Sequence, residues 1–179
     1  METILTPCRV PWAISPSMSG VTLSHSESDV EPVCTVVFGA GRIQEDGRTD
    51  SRHVEIEFKL CYYARVGPHS DEEGVEVLGY TIDRPTIRAA DYLDWRVRQW
   101  RETGYCPDPG FYVAERSAWL ESLPDFFRRD FRHYVVDGRG GYVELIASQF
   151  RWREWLWTVG DRELAPLQRP VVGEGEGVA

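Results

Sequence analysis

Few side chains in this 179-residue chain are spaced for chemistry. Histidines stand at 25, 53, 69 and 133, with none of the tight repeats that place two imidazoles on one helix or loop around a metal. His69 precedes Asp71, Glu72 and Glu73, which read as an acidic solvated loop in the absence of any ligand motif. Cysteines at 8, 34, 61 and 106 form no C-x-x-C pair. Nor does the sequence contain the G-x-S-x-G elbow of a serine hydrolase. Cys106 and His133 are the one thiol–imidazole pair worth weighing, and a structural thiol is the simpler reading. Phe38-Gly39-Ala40-Gly41 resembles the start of a dinucleotide-binding turn, but Gln44 stands where its third glycine belongs and no helix follows to hold a pyrophosphate. The 29 carboxylates offer no pair that sequence can single out, because acid–base work depends on a dry pocket. No catalytic residue, metal site or cofactor is expected.

Arginine and tryptophan carry more information. Nineteen arginines accompany a single lysine, Lys59, and they are unevenly placed. Residues 1–83 hold fourteen acidic and six basic side chains. Residues 84–169 hold thirteen acids against fourteen arginines, with six of the seven tryptophans. Such asymmetry points to two unlike faces and to a protein that meets a partner. Trp95 falls among Asp91, Arg98 and Glu102 on a helical wheel, off the apolar side. Arg and Trp are the residues most enriched in binding hot spots. The segment Cys106-Pro107-Asp108-Pro109-Gly110, followed by Phe111 and Tyr112, is stiffened by its prolines and so loses little entropy on binding. The competing reading makes the tryptophans core residues, pairs the arginines with nearby acids and leaves the proline loop as a connector.

The elements that position these residues follow from periodicity. Residues 33–38 read as a strand. Over 54–63, Val54, Ile56, Phe58, Leu60 and Tyr62 alternate with Glu55, Glu57, Lys59, Cys61 and Tyr63, a half-buried antiparallel strand. A further strand is expected over 75–82. The period changes over 87–103, where Ala89, Tyr92, Leu93, Val97 and Trp100 share one side of a helix capped by Thr86 or Asp83 and ended by Gly104. Residues 111–114 read as a short strand, Ser117 caps a brief helix before Pro124, and 126–131 add a turn of helix. A hairpin is expected over 134–147. Residues 150–157 fit a strand or a helix, and aromatic content favours the strand. Residues 1–32 are irregular and 170–179 lack core-forming content, so a disordered tail is expected there.

The fold class expected is therefore a single α+β domain over 1–169, a curved antiparallel sheet with one main amphipathic helix packed on a face. A net charge of −9 disfavours nucleic acid and anionic membranes, and no apolar run is long enough to span a bilayer. Free thiols without a basic-then-apolar leader favour the cytoplasm, and the arginine excess hints at a GC-rich bacterial source. The functional expectation is a soluble, non-enzymatic protein that binds a protein partner, a basic one being the suited kind, through Trp95, Arg98, Glu102, Asp108, Phe111, Tyr112, Glu55 and Glu57. The alternative is a small enzyme or ligand binder with an aromatic-lined pocket between sheet and helix.

Overall fold

The computed structural model describes residues 2–17, 20–27, 31–44, 46–68, 74–156 and 171–175. The α+β class holds, with mostly antiparallel strands and one main helix of three. The strands divide between two sheets rather than forming one. Sheet A runs β6-β10-β9-β8-β1-β7. Its strands are β1 (Thr3–Pro7), β6 (Tyr63–Gly67), β7 (Tyr80–Ile82), β8 (Phe111–Glu115), β9 (Arg132–Gly138) and β10 (Gly141–Ala147). Sheet B runs β12-β11-β5-β4-β2, with β3 also on β4. It comprises β2 (Ala13–Ile14), β3 (Thr22–Glu27), β4 (Pro32–Ile43), β5 (Thr49–Lys59), β11 (Gln149–Leu156) and β12 (Val171–Gly175). Among the described residues every pairing is antiparallel except β1 with β7.

The expected strand over 54–63 breaks in two. Val54, Ile56 and Phe58 are wholly buried and Glu55 and Glu57 face outward, as alternation requires. At Leu60, however, φ is +51°, a left-handed conformation that a branched side chain rarely takes. Hydrogen bonding changes partner there: the Cys61 N–H donates to the Pro32 carbonyl (3.0 Å), and the Tyr62 N–H to the Ile146 carbonyl of sheet A (3.2 Å). The bend thus carries the chain from one sheet to the other. The strand expected over 75–82 is also divided. A 3-10 helix, Gly74–Leu78, ends at Gly79, whose φ of +80° turns the chain into β7. Residues 150–157 resolve as strand β11 through Leu156, and the tail expected to be structureless contains β12. His69, Asp71–Glu73 and Trp157 lie outside the described residues.

The core fills the space between the sheets. Trp12, fully buried, lies 5.2 Å from Phe38 and 6.0 Å from Phe111, and Phe58 lies 5.3 Å from Tyr134. Each such side chain contributes about 1.5–3 kcal/mol by leaving water. The outer face of sheet A is covered as well: Val75 of the 3-10 helix packs with Leu5, Tyr112 and Val135. Phe127 and Phe131, at the third helix, pack on Ile146.

Helix α1 (Ala89–Thr103) ends as expected, with Gly104 at φ +76° donating to the Trp100 carbonyl. Its start differs, since Arg88 occupies the cap position and its side chain bonds Asp91 instead of capping the backbone. Its packed side also differs from the wheel: Trp100 is buried and Tyr92, Trp95 and Arg96 are partly covered, while Leu93 is exposed. The Trp100 indole N–H donates to the Pro11 carbonyl at 3.0 Å and fastens the helix to the sandwich. Helices α2 (Ala118–Glu121) and α3 (Asp125–Asp130) follow β8, and Ser117 caps α2 by accepting from the Leu120 N–H.

Candidate functional site

Sheet A places an unusual group on its covered face. Glu144 of β10 is fully buried, flanked in sequence by Val143, Leu145 and Ile146. Arg65, directly opposite on β6, grips it with two hydrogen bonds, one of them 2.9 Å, and the Tyr80 hydroxyl donates to the same carboxylate. His133 Nε2 lies 3.2 Å from Glu144 Oε1, an electrostatic contact out of line for a hydrogen bond. Burial pushes the Glu144 pKa up, but His133, Arg65 and Tyr80 together hold it down at about 2. Tyr80 is pushed well up, by burial first and then by Glu144.

Ser117 Oγ sits 2.7 Å from His133 Nδ1, so serine, imidazole and carboxylate form a chain. The residue types are those of a hydrolytic relay, but the geometry is that of a strut. Ser117 and His133 are buried, and Ser117 Oγ already accepts the Leu120 N–H of the helix it caps. Neither described cleft is lined by any of the three. Ser117 and His133 tie the start of α2 to β9.

The same network reaches the surface. Arg65, half exposed, lies 4.3 Å above the Trp119 ring. Trp119 meets Tyr63, Tyr63 meets Phe127, and Phe127 meets Tyr62 and Phe126 at ring separations of 4.0–6.4 Å. Within this aromatic corner Tyr62 and Phe126 are each 50% exposed and Tyr63 is 38% exposed. β6 is the edge strand beside it, and Tyr63, Ala64, Arg65 and Val66 are all exposed. Sequence reasoning passed over this corner. The adjacent Tyr62-Tyr63 and Phe126-Phe127 pairs were visible, but one pair was absorbed into strand alternation and the other into a helical turn.

The residues singled out from sequence are distributed elsewhere. Phe111 is a core residue with no exposed surface, and Tyr112 is buried with its hydroxyl donating to Asp108, so neither presents a ring to a partner. Both belong to β8, a central strand covered on two faces. Asp108 joins the loop to α1 by accepting from the Tyr92 hydroxyl, with Arg84 3.7 Å away. Burial, with Asp108 adding to it, pushes the Tyr92 and Tyr112 hydroxyls well up. Trp95 is half-buried, 5.6 Å from Tyr92, while Arg98 and Glu102 are exposed on α1. Glu55 and Glu57 lie on the outer face of sheet B, each paired with the arginine opposite on β11, Arg153 and Arg151. Cys106 and His133 do not meet. The thiol donates to the Asp108 carbonyl and packs with Ala13 and Trp100, and its pKa is raised chiefly by burial.

One cleft of about 250 Å³ does lie between α1 and sheet A. Arg96, Asp108, Tyr112 and Asp137 line it, with Ser15 and Arg139 at its walls. Its one aromatic ring is Tyr112, and Asp108 is already engaged. Among the described residues no three or more His, Cys, Asp or Glu side chains are gathered to hold a metal ion, and no helix is long and apolar enough to cross a membrane. The chain matches no protein-family model, no curated protein and no solved structure.

Proposed function

We propose that this is a protein-binding module that takes up an extended segment of another protein along β6, with the segment's side chains resting on the aromatic corner. The observation that carries this reading is the coincidence of an open sheet edge with exposed rings at Tyr62, Tyr63 and Phe126. An edge strand offers unpaired N–H and C=O groups to an added strand. Alternate residues of that strand would project onto the face where Tyr63 and Trp119 lie. Aromatic rings supply contact area at low entropic cost, and the Arg65 guanidinium is already ordered by Glu144, so little is lost on docking. Arg129 on α3 forms no ion pair among the described residues and favours an acidic residue in the incoming segment.

A basic partner held at Glu55 and Glu57 has less support, because it would have to displace Arg153 and Arg151 from those carboxylates. The small-ligand alternative draws on the cleft beside Arg96 and Asp108, whose lining carries one aromatic ring, Tyr112, where that reading expects several.

Selection from a random-peptide display library tests the proposal. Enriched peptides are expected to alternate apolar residues, to carry at least one acid, and to lose about tenfold or more in affinity on Val66→Lys or Phe126→Ala. Peptides that bind both variants as tightly as the parent protein would remove the β6 corner from consideration.

A further inference from the structure

A second cleft, of about 440 Å³, opens at the far end of α1, between that helix and the β4–β5 hairpin. Pro11, Ile43 and Trp100 provide its apolar walls, Gln44 and Gly104 complete it, and Arg42 and Arg101 are its charged lining residues among those described. Among the described residues no carboxylate lines the cleft itself, and Asp50, beside it, is engaged by the Arg42 N–H, the Gln44 amide and Arg52. We propose that this cleft binds a small organic phosphate monoester, with the phosphoryl oxygens shared between Arg42 and Arg101 and the organic part against Ile43 and Trp100.

Arg42 is held in place from behind. Arg42 Nη1 donates to Glu154 Oε1 at 2.7 Å, and Glu154 is fully buried on the inner face of β11. That carboxylate also accepts from Arg52 Nη1 at 2.8 Å, and Arg52 is in turn gripped by Asp50. The four groups Arg42, Arg52, Asp50 and Glu154 are formally neutral together. Arg42 still keeps its Nε and Nη2 donors without a hydrogen bond among the described residues, and its side chain is 35% exposed.

Arg101 adds a positive charge that none of these groups offsets. It makes no hydrogen bond or ion pair among the described residues, and its guanidinium lies over the β4–β5 turn. A Cβ placed on Gly47 would lie 1.5 Å from Arg101 Nη2, so the guanidinium rests against the hairpin turn at Gly47. The φ of Gly47, +84°, independently requires glycine. The negative end of α1 opposes an anion. Hydrogen bonds from the Gly104 N–H to the Trp100 carbonyl, and from Thr103 Oγ1 to the Gln99 carbonyl, blunt that opposition. A phosphate monoester suits this geometry better than a carboxylate, because its three terminal oxygens can accept from two guanidiniums at once. The cleft volume falls in the range of small-molecule sites.

Calorimetric titration of the whole protein with phenyl phosphate, inorganic phosphate and phenol tests this inference, with far-UV circular dichroism checking each variant's fold. Phenyl phosphate is expected to saturate one site, inorganic phosphate to bind the same site more weakly, and phenol not to bind. Arg101→Gln, on the helix surface, should weaken phenyl phosphate at least about tenfold while leaving the fold intact. Gly47→Ala should do the same by displacing Arg101. Absence of saturation by about 10 mM phenyl phosphate would overturn the proposal, as would equal affinity of the parent and Arg101→Gln proteins. Equal affinity for phenol and phenyl phosphate would also overturn it, by showing an apolar cleft with no phosphate recognition. Because β6 lies in the other sheet, Val66→Lys should leave all three titrations unchanged, which separates this site from the peptide-binding one.

Discussion

Glu144 on β10 and Glu57 on β5 occupy equivalent positions in the two sheets. Each projects from the outer face of its sheet, and each meets an arginine directly opposite on the neighbouring strand, Arg65 in one case and Arg151 in the other. The two arginines are equally open to water, at 49% and 50% exposed. The carboxylates are not: Glu144 is 1% exposed and Glu57 is 23%. What differs is the cover. Tyr80 and His133 meet Glu144, Trp119 lies against His133 and Arg65, and a charge that is taken out of water must be matched by donors. On sheet B the same Glu–Arg arrangement remains in contact with solvent. A cross-strand ion pair is thus a structural anchor or a surface decoration according to the layer above it.

The sharpest way to break that comparison is to remove the carboxylates in turn. Glu144→Ala strands Arg65, Tyr80 and His133 around an empty site and should cost about 3–5 kcal/mol, the usual result of deleting one member of a buried pair. Urea denaturation monitored by tryptophan fluorescence measures it. A loss below about 1 kcal/mol would mean that water reaches Arg65 and Tyr80 as freely as it reaches Arg151.

Acid should act on the same group. The folded-state pKa of Glu144 is lowered from an ordinary 4.5 to about 2. A depressed carboxylate contributes stability that is complete above its unfolded-state pKa and disappears as pH falls through the folded value. The contribution, on the order of 3 kcal/mol, is therefore expected to vanish between pH 4.5 and pH 2. Denaturation series at several pH values in the parent and in Glu144→Gln test this, because the variant should lack that part of the pH slope. An unchanged slope would assign the acid sensitivity to other carboxylates.

Stripping the cover gives a smaller and more diagnostic effect. Trp119→Ala removes a half-buried ring from Arg65 and His133 and should cost about 1–3 kcal/mol. It should also raise the Glu144 side chain toward the exposure that Glu57 already has. The Glu144–Arg65 coupling in a double-mutant cycle is then expected to shrink toward the surface range of about 0.2–1 kcal/mol. Coupling that survives the loss of Trp119 would show that strand geometry, and not the aromatic layer, makes the pair strong.

Much of this contrast was partly legible before any fold was known. Alternation over 54–59 identified Glu55 and Glu57 as outward residues, because a period of two follows from pleat geometry alone. The break at Leu60 was hidden, since a left-handed leucine has no compositional signal and apolar alternation continues through Tyr62. Glu144 did leave a trace, being the lone carboxylate in Val143–Ala147 and otherwise surrounded by apolar residues. Glu154 left one too: it shares the inward phase of Phe150 and Trp152, which made β11 hard to assign. In both cases the buried carboxylate blurred the pattern because its arginine partner is far away in sequence, at 65 for Glu144 and at 42 and 52 for Glu154. Local periodicity reports burial but not long-range pairing. The aromatic corner was missed for the related reason that its rings come from three separated segments.

The smallest expected effect belongs to sheet B. In a double-mutant cycle, Glu57→Ala and Arg151→Ala should couple by only about 0.2–1 kcal/mol, and each single change should cost a similar amount. The 2.7 Å contact between Arg151 and Glu57 does not alter that expectation, because both partners keep water in reach and both must be ordered to meet. Salt should separate the two sheets further. Raising ionic strength from about 0.1 to 1 M shortens the screening length from about 10 to 3 Å. The Glu57–Arg151 coupling should then fall toward zero, while the coupling under Trp119, with little solvent between the charges, should persist. If both couplings decay together with salt, Trp119 and His133 do not exclude solvent ions from Glu144, and the distinction between the two faces fails.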